Sequence, residues 1–176
     1  MFRIFCLIIL VVPLLSNQAL ARIPRGKLLL DASLYYVSIK TQDAGGPEST
    51  STSSLYDIRF GKIFQEGWYL GAIYTMRSQS TGSTTESGNA AGVSAGFMGN
   101  GGFFIQGHYL LMATNGDYKK GTGLQFAAGY KVDLADNWLL GVEITQRIIT
   151  YKELNSLDVE FKTTELYPMI SIGRAF

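Results

Sequence analysis

The chain predicts an all-β fold, eight antiparallel strands closed up-and-down into a barrel. Three observations predict it. Segments of about ten residues alternate in polarity with the two-residue period of strands. Tight and longer polar connections alternate between these segments. A large aromatic follows each tight one, at Trp68, Phe103 and Trp138, so that both intervals are 35 residues (103 minus 68 and 138 minus 103). The composition agrees: Gly 20 and aromatics at 12% with only Pro 4 suit strands and turns better than a helix bundle. A 35-residue period also occurs in solenoids and helical repeats, but the repeated unit here is a β-hairpin: aromatic, strand, longer loop, strand, tight turn. At 176 residues the chain suits one domain.

The first element is a leader. Met1 to Ala21 has a positive start at Arg3, an apolar core from Ile4 to Leu15, and the small-x-small cleavage site Ala19-Leu20-Ala21. That core is too short for a spanning helix, which needs about 20 residues. Cys6 lies inside it, which argues against a lipoprotein. The expected division is therefore a signal peptide over 1–21 and a barrel domain over 22–176. Cleavage removes Cys6 and Arg3, leaving a chain without cysteine and with charge 14 minus 14, or zero. No disulfide framework is available to it, and the charge balance argues against a nucleic-acid partner.

The eight strands follow in order, over 28–41, 54–65, 68–79, 90–99, 103–113, 121–134, 138–151 and 162–176. The second shows the alternation plainly: Tyr56, Ile58 and Phe60 face one way, and Asp57, Arg59 and Gly61 the other. In the sixth, Leu124 to Leu134, every even position is apolar. In the seventh, Trp138, Leu140, Val142, Ile144 and Gln146 oppose Gly141, Glu143, Thr145 and Arg147. Tight turns are expected at Gln65-Glu66-Gly67, Asn100-Gly101-Gly102 and Ala135-Asp136-Asn137. A glycine follows soon after each, at Gly71, Gly107 and Gly141. Longer polar loops are expected over 43–53, 80–89, 114–120 and 151–161. Pro168 in the eighth strand lacks a ladder donor, which predicts a bulge or local register change.

A soluble barrel of the lipocalin type would share the strand count. The distribution of side chains decides between the two. Continuous bulky apolar faces oppose faces that mix Gly, Ser, Thr and Gln with both charge signs. Eight strands enclose just enough space for side chains. Asp57, Arg59, Arg77, His108, Glu143, Arg147 and Glu165 therefore fit as an interior network, leaving the apolar faces outward against lipid. Closure pairs every backbone group, as hydrocarbon demands. Phe64, Trp68, Phe103, Trp138 and Phe176 form an expected aromatic girdle at the short-turn ends, with Tyr36, Tyr56 and Tyr74 nearer the longer loops. Lys62 is outward by parity, near enough to the short-turn end for its ammonium to reach headgroups.

With its leader, eight alternating strands and the terminal run Pro168 to Phe176, the chain resembles the small bacterial outer-membrane β-barrels of the OmpA/OmpX kind. The resemblance covers the chain after the leader and rests on architecture. It implies an outer-membrane location, contact with outer-membrane lipid and lipopolysaccharide, and assembly by the barrel-assembly machinery. That machinery would read Ile170, Ile172 and Phe176 as its signal. Arg174 departs from the alternating pattern.

Within the interior, Asp57 with Arg77 and Arg147 with Glu165 are the expected ion pairs, and Arg59, Glu143 and His108 fall near mid-barrel. Pairs of this kind fill the lumen or exchange partners as a gate. His108 has Gln106 and Leu110 as same-face neighbours, and no Ser accompanies it on its own strand. A Ser–His–acid catalyst needs such a hydroxyl, so no catalytic residue, cofactor or metal ligand is assigned. The expected role is non-enzymatic: structural, or surface interaction of an adhesion-like kind through mobile outer loops that meet a ligand. Tyr151, Leu154, Leu157 and Phe161 mark the last loop as a protruding hairpin. A narrow pore and a lipid A-modifying enzyme are the alternatives.

Overall fold

The computed structural model describes residues 23–42 and 48–176. The expected leader over 1–21, with its expected cleavage site at Ala19 and Ala21, lies outside the described residues. Eight strands, β1 (Leu28–Gln42), β2 (Glu48–Ile63), β3 (Trp68–Thr81), β4 (Thr84–Met98), β5 (Phe103–Asn115), β6 (Tyr118–Ala135), β7 (Trp138–Leu154) and β8 (Leu157–Ala175), follow one another around a closed barrel. Each neighbouring pair is antiparallel, including β1 with β8.

At the short-turn end the strands start and stop close to where side-chain alternation places them. At the other end the polar loops are corrected. β3 and β4 run on to Thr81 and Thr84, β5 and β6 to Asn115 and Tyr118, and β7 and β8 to Leu154 and Leu157. Ser, Thr and charged side chains end the apolar pattern there, but the ladder is made by the backbone and continues through them. The hairpins therefore project as paired ribbons closed by two-residue turns. Asn155 and Ser156 sit at φ 50° and 67°, and Asp136 and Asn137 at 49° and 65°. Two successive left-handed residues are the hairpin turn whose twist matches the strands. Ser156 bears a Cβ in that conformation, so Ser156→Gly should stabilise the barrel by about 1 kcal/mol, read as a rise in unfolding midpoint. On the same ribbons the Lys120 ammonium donates to Glu153 Oε2 at 2.7 Å. This hydrogen bond holds Glu153 below the usual carboxylate range and Lys120 above its ordinary value.

Side chains alternate across the wall. On β7, Leu139, Glu143, Thr145, Arg147 and Ile149 are buried inside, while Trp138, Leu140, Val142, Ile144 and Gln146 are exposed outside. The outward faces of the other strands carry Leu30, Leu34, Ile58, Phe60, Leu70, Tyr74, Val93, Ile105, Phe126, Ile170 and Ile172. Trp68, Phe103, Trp138 and Phe176 are exposed at the short-turn end, with Phe64 half-buried beside them. Tyr36, Tyr56 and Tyr74 are exposed further along. The outward cations at this end lie against the aromatics: Lys62 Nζ is 5.5 Å from the Phe64 ring centre, and Arg174 Cζ is 5.4 Å from that of Trp138. Arg174, the departure from alternation, thus packs on its neighbour's ring.

Pro168 does something other than the expected bulge. The β7–β8 register runs unbroken past Ile144↔Pro168, its shift lying between Tyr151 and Glu153. The β1–β8 ladder instead stops at Leu34↔Ile170, although β1 stays paired with β2 as far as Gln42. The side that the missing N–H occupies explains this. Leu28 and Phe176 exchange both backbone hydrogen bonds, at 2.9 Å each. By antiparallel alternation, the even residues of β8 therefore bond toward β1. Tyr36 with Pro168 is the next such pair. Proline cannot donate there, and its ring leaves the β7 side intact.

Candidate functional site in the lumen

The interior is filled along its length. At the short-turn end Ile23, ahead of β1, is buried with Leu29, Ile63, Tyr69, Met98, Phe104, Ala127 and Leu139. This apolar plug is tied down by Lys27 Nζ donating to Asn137 Oδ1 at 2.9 Å and by Arg25 donating to Asn100 Oδ1. Two further apolar clusters lie toward the projecting hairpins. One holds Ile73, Ala90, Leu110, Ala113, Ile149 and Tyr151, and the other Leu55, Tyr167 and Met169 with Tyr35.

Between them lies the charge network. Arg59, fully buried, contacts Asp31 at 2.6 Å and Glu143 at 2.8 Å, and donates to Gln106 Oε1 at 3.1 Å and to Ser33 Oγ. Asp31 and Arg59 are directly opposite in register. Lys131 also reaches Asp31, at 2.7 Å, and Ser171 Oγ at 2.6 Å, with its ammonium 5.0 Å from the Phe104 ring centre. Gly141 stands between Lys131 and Ser171 in register. A Cβ there would sit 2.7 Å from both Lys131 Cγ and Ser171 Oγ. Gly71 similarly clears the Tyr69 hydroxyl, whereas a Cβ at Gly107 would only make ordinary contact with the Phe126 ring, at 3.8 Å. Of the three glycines that follow the tight turns, two thus make room for the lumen. Gly107 instead lies with Ala95 in an outward apolar depression of about 400 Å³. Gly141→Ala should break the Lys131–Ser171 contact and cost about 1–3 kcal/mol, measurable by urea unfolding in lipid vesicles.

The remaining charges lie inside as parity requires, but two expected pairings are corrected. Asp57 accepts from Thr75 Oγ1 at 2.8 Å and from Gln125 Nε2 at 2.6 Å. Thr75 is its direct register partner, while Arg77 stands opposite Leu55. Arg77 instead pairs with Glu165, from the far side of the lumen. That contact draws the Glu165 carboxylate away from Arg147, its own register partner. Arg147 makes no ion pair among the described residues.

One inward row runs Ser94, His108, Gln125, Arg147, Glu165 across β4 to β8. Within it Ser94 Oγ and His108 Nδ1 are 2.7 Å apart. The expectation that no serine accompanies His108 is therefore corrected, since the hydroxyl comes from the neighbouring strand. Sequence position along one strand could not show it. His108 Nε2 has no hydrogen-bond partner among the described residues, so no carboxylate completes a triad on it. Both side chains are buried inside a filled lumen, away from the outward apolar wall. No cluster of His, Cys, Asp or Glu suited to a metal ion occurs among the described residues. Asp31 and Lys131 are the members of the network that polarity patterning missed. Each lies on an inward face whose parity was readable, and the signal was a charge flanked by apolar outward neighbours.

No protein-family model matches the chain, and no curated protein matches its sequence. Among solved structures it is similar to the outer membrane protein AlkL, determined by solid-state NMR in DMPC lipid bilayers. The identity is 12%, the match covers 86% of this chain and 90% of that one, and the TM-score is 0.47.

Proposed function

We propose that the chain is a non-enzymatic outer-membrane barrel that does not conduct, and that it acts as a structural or surface-interaction element through its projecting hairpins. The filled lumen carries this reading. An apolar plug, a charge network in mutual contact and two further apolar clusters occupy the interior that a pore would need as a water path. The outward apolar band and its aromatic end support a lipid surround, since leaving so much apolar surface exposed to water is unfavourable. Outer-membrane lipid and lipopolysaccharide are then the surrounding partners, with the barrel-assembly machinery reading Ile170, Ile172 and Phe176, all on the lipid side. A lipid A-modifying activity would need a catalytic cluster facing that lipid, whereas Ser94 and His108 face inward. Refolded protein in a planar bilayer should be silent. Discrete steps that change on Arg59→Ala or Glu143→Ala would replace this reading with a pore gated by that pair.

A further inference from the structure

We propose that Arg147, with His108 and Gln125 beside it, forms an internal site for a small singly charged anion, entered from the hairpin end of the lumen. This goes beyond the surface-interaction reading and rests on buried groups that such a role does not use. Arg147 is only 3% exposed, and a guanidinium keeps its charge wherever it is buried. The carboxylates buried with it are committed elsewhere. Asp31 and Glu143 contact Arg59. Asp57 has no cation against it, but both its oxygens accept, from Thr75 and from Gln125. Glu165, the register partner of Arg147, is held by Arg77. A buried cation without a partner is strongly unfavourable, so this guanidinium calls for a negative charge that the chain does not itself place against it.

The neighbouring side chains select the ligand. His108, Gln125 and Arg147 stand in one row on the consecutive strands β5, β6 and β7. All three are buried, and each has a polar atom without a hydrogen-bond partner among the described residues: His108 Nε2, Gln125 Oε1 and Arg147 Nε. Folded interiors leave few such atoms, and three side by side mark a place where a ligand completes the bonding. Ser94 Oγ, 2.7 Å from His108 Nδ1, donates to that nitrogen at the proposed site. The ring proton is then on Nε2, directed away from β4. Nε2–H and the guanidinium are two donors, which favour an anion. Gln125 Nε2 is fixed on Asp57 at 2.6 Å, so its Oε1 accepts a hydrogen from water in the anion's shell. The apolar cluster of Leu110 and Ile149 packs the next level of the lumen, which limits the ligand to the size of a halide or nitrate. Access is from the hairpin end. The Arg77 and Glu165 side chains are 15% and 17% exposed, so water reaches that level. The Arg59 cluster and the apolar plug close the way to the short-turn end, which makes the site a dead end rather than a passage.

The test is urea unfolding of the full barrel in lipid vesicles at constant ionic strength, with bromide exchanged for gluconate, an anion too bulky to enter. The wild-type folding equilibrium should rise about tenfold for each tenfold rise in bromide once the site fills. Arg147→Met should abolish that dependence. In gluconate it should be no less stable than wild type, because it removes a charge left unpaired. His108→Phe should keep the dependence but need about tenfold more bromide. Anomalous diffraction from bromide in crystals of the wild-type barrel should place a peak within hydrogen-bond reach of the Arg147 guanidinium. That arm stands whether or not the variants fold. A wild type indifferent to bromide, or a response that Arg147→Met shares, would overturn the proposal. So would anomalous peaks confined to the outer surface. An Arg147→Met barrel weakened equally in both salts would do the same, since Arg147 would then be held by the chain or by water alone.

Discussion

Arg59→Ala should destabilise the barrel by about 3–5 kcal/mol, the usual cost of removing one member of a buried ion cluster. Arg59 is completely buried and holds two carboxylates, Asp31 and Glu143, together with Ser33 and Gln106. Without it, Lys131 alone remains to compensate Asp31, and Glu143 keeps only a weak bond from Thr145 at 3.4 Å. Glu143→Ala should cost less, because Arg59 retains Asp31. The double variant Arg59→Leu with Glu143→Leu should recover part of the Arg59→Ala loss, since well-packed apolar side chains can replace a buried pair of charges. Urea unfolding in vesicles, followed by tryptophan fluorescence, reads all three. A loss below about 1 kcal/mol for Arg59→Ala would mean that its side chain is hydrated.

Val142→Arg should cost about 2–4 kcal/mol, while Thr164→Arg should cost close to nothing. Val142 is outward on β7 between Leu140 and Ile144, within the apolar band. Thr164 is also outward, but it lies at the level where the band gives way to polar side chains. The contrast separates depth in hydrocarbon from mere exposure, because both sites are open to the outside. Equal tolerance at the two positions would point to water around the whole barrel.

Much of the fold was legible because strand parity is strict. A charge set among alternating apolar neighbours has only one side to occupy, and so Asp57, Arg59, Glu143 and Arg147 were placed inside from their spacing alone. The short-turn ends were readable for a related reason, since Asn-Gly-Gly and Asp-Asn mark turns by backbone conformation. The upper hairpins were not readable, because a ladder of Ser and Thr looks like a loop in polarity yet pairs as well as any other backbone. Ion partners were harder still. Parity gives a side and register gives a height, but Arg77 reaches across the lumen to Glu165, and long side chains choose among several partners at one level. The Ser94–His108 contact escaped for the same reason: cross-strand neighbours depend on a register that one strand does not carry. Pro168 was seen as an irregularity, but whether its missing donor faced β7 or β1 depended on the phase of the ladder.

The chain's one cysteine is Cys6, so single cysteines can report each wall position cleanly on a Cys6→Ser background. The most direct measurement is a spin-label scan of β7 from Leu140 to Arg147 in lipid vesicles, comparing collision with oxygen and with a water-soluble nickel chelate. Oxygen accessibility should peak at Leu140, Val142, Ile144 and Gln146 and fall at the intervening residues, with the nickel chelate excluded from both sets. Nickel access at the even positions would put water outside the barrel, and nickel access at Glu143, Thr145 and Arg147 would put it in the lumen. Either result would contradict a sealed barrel standing in lipid.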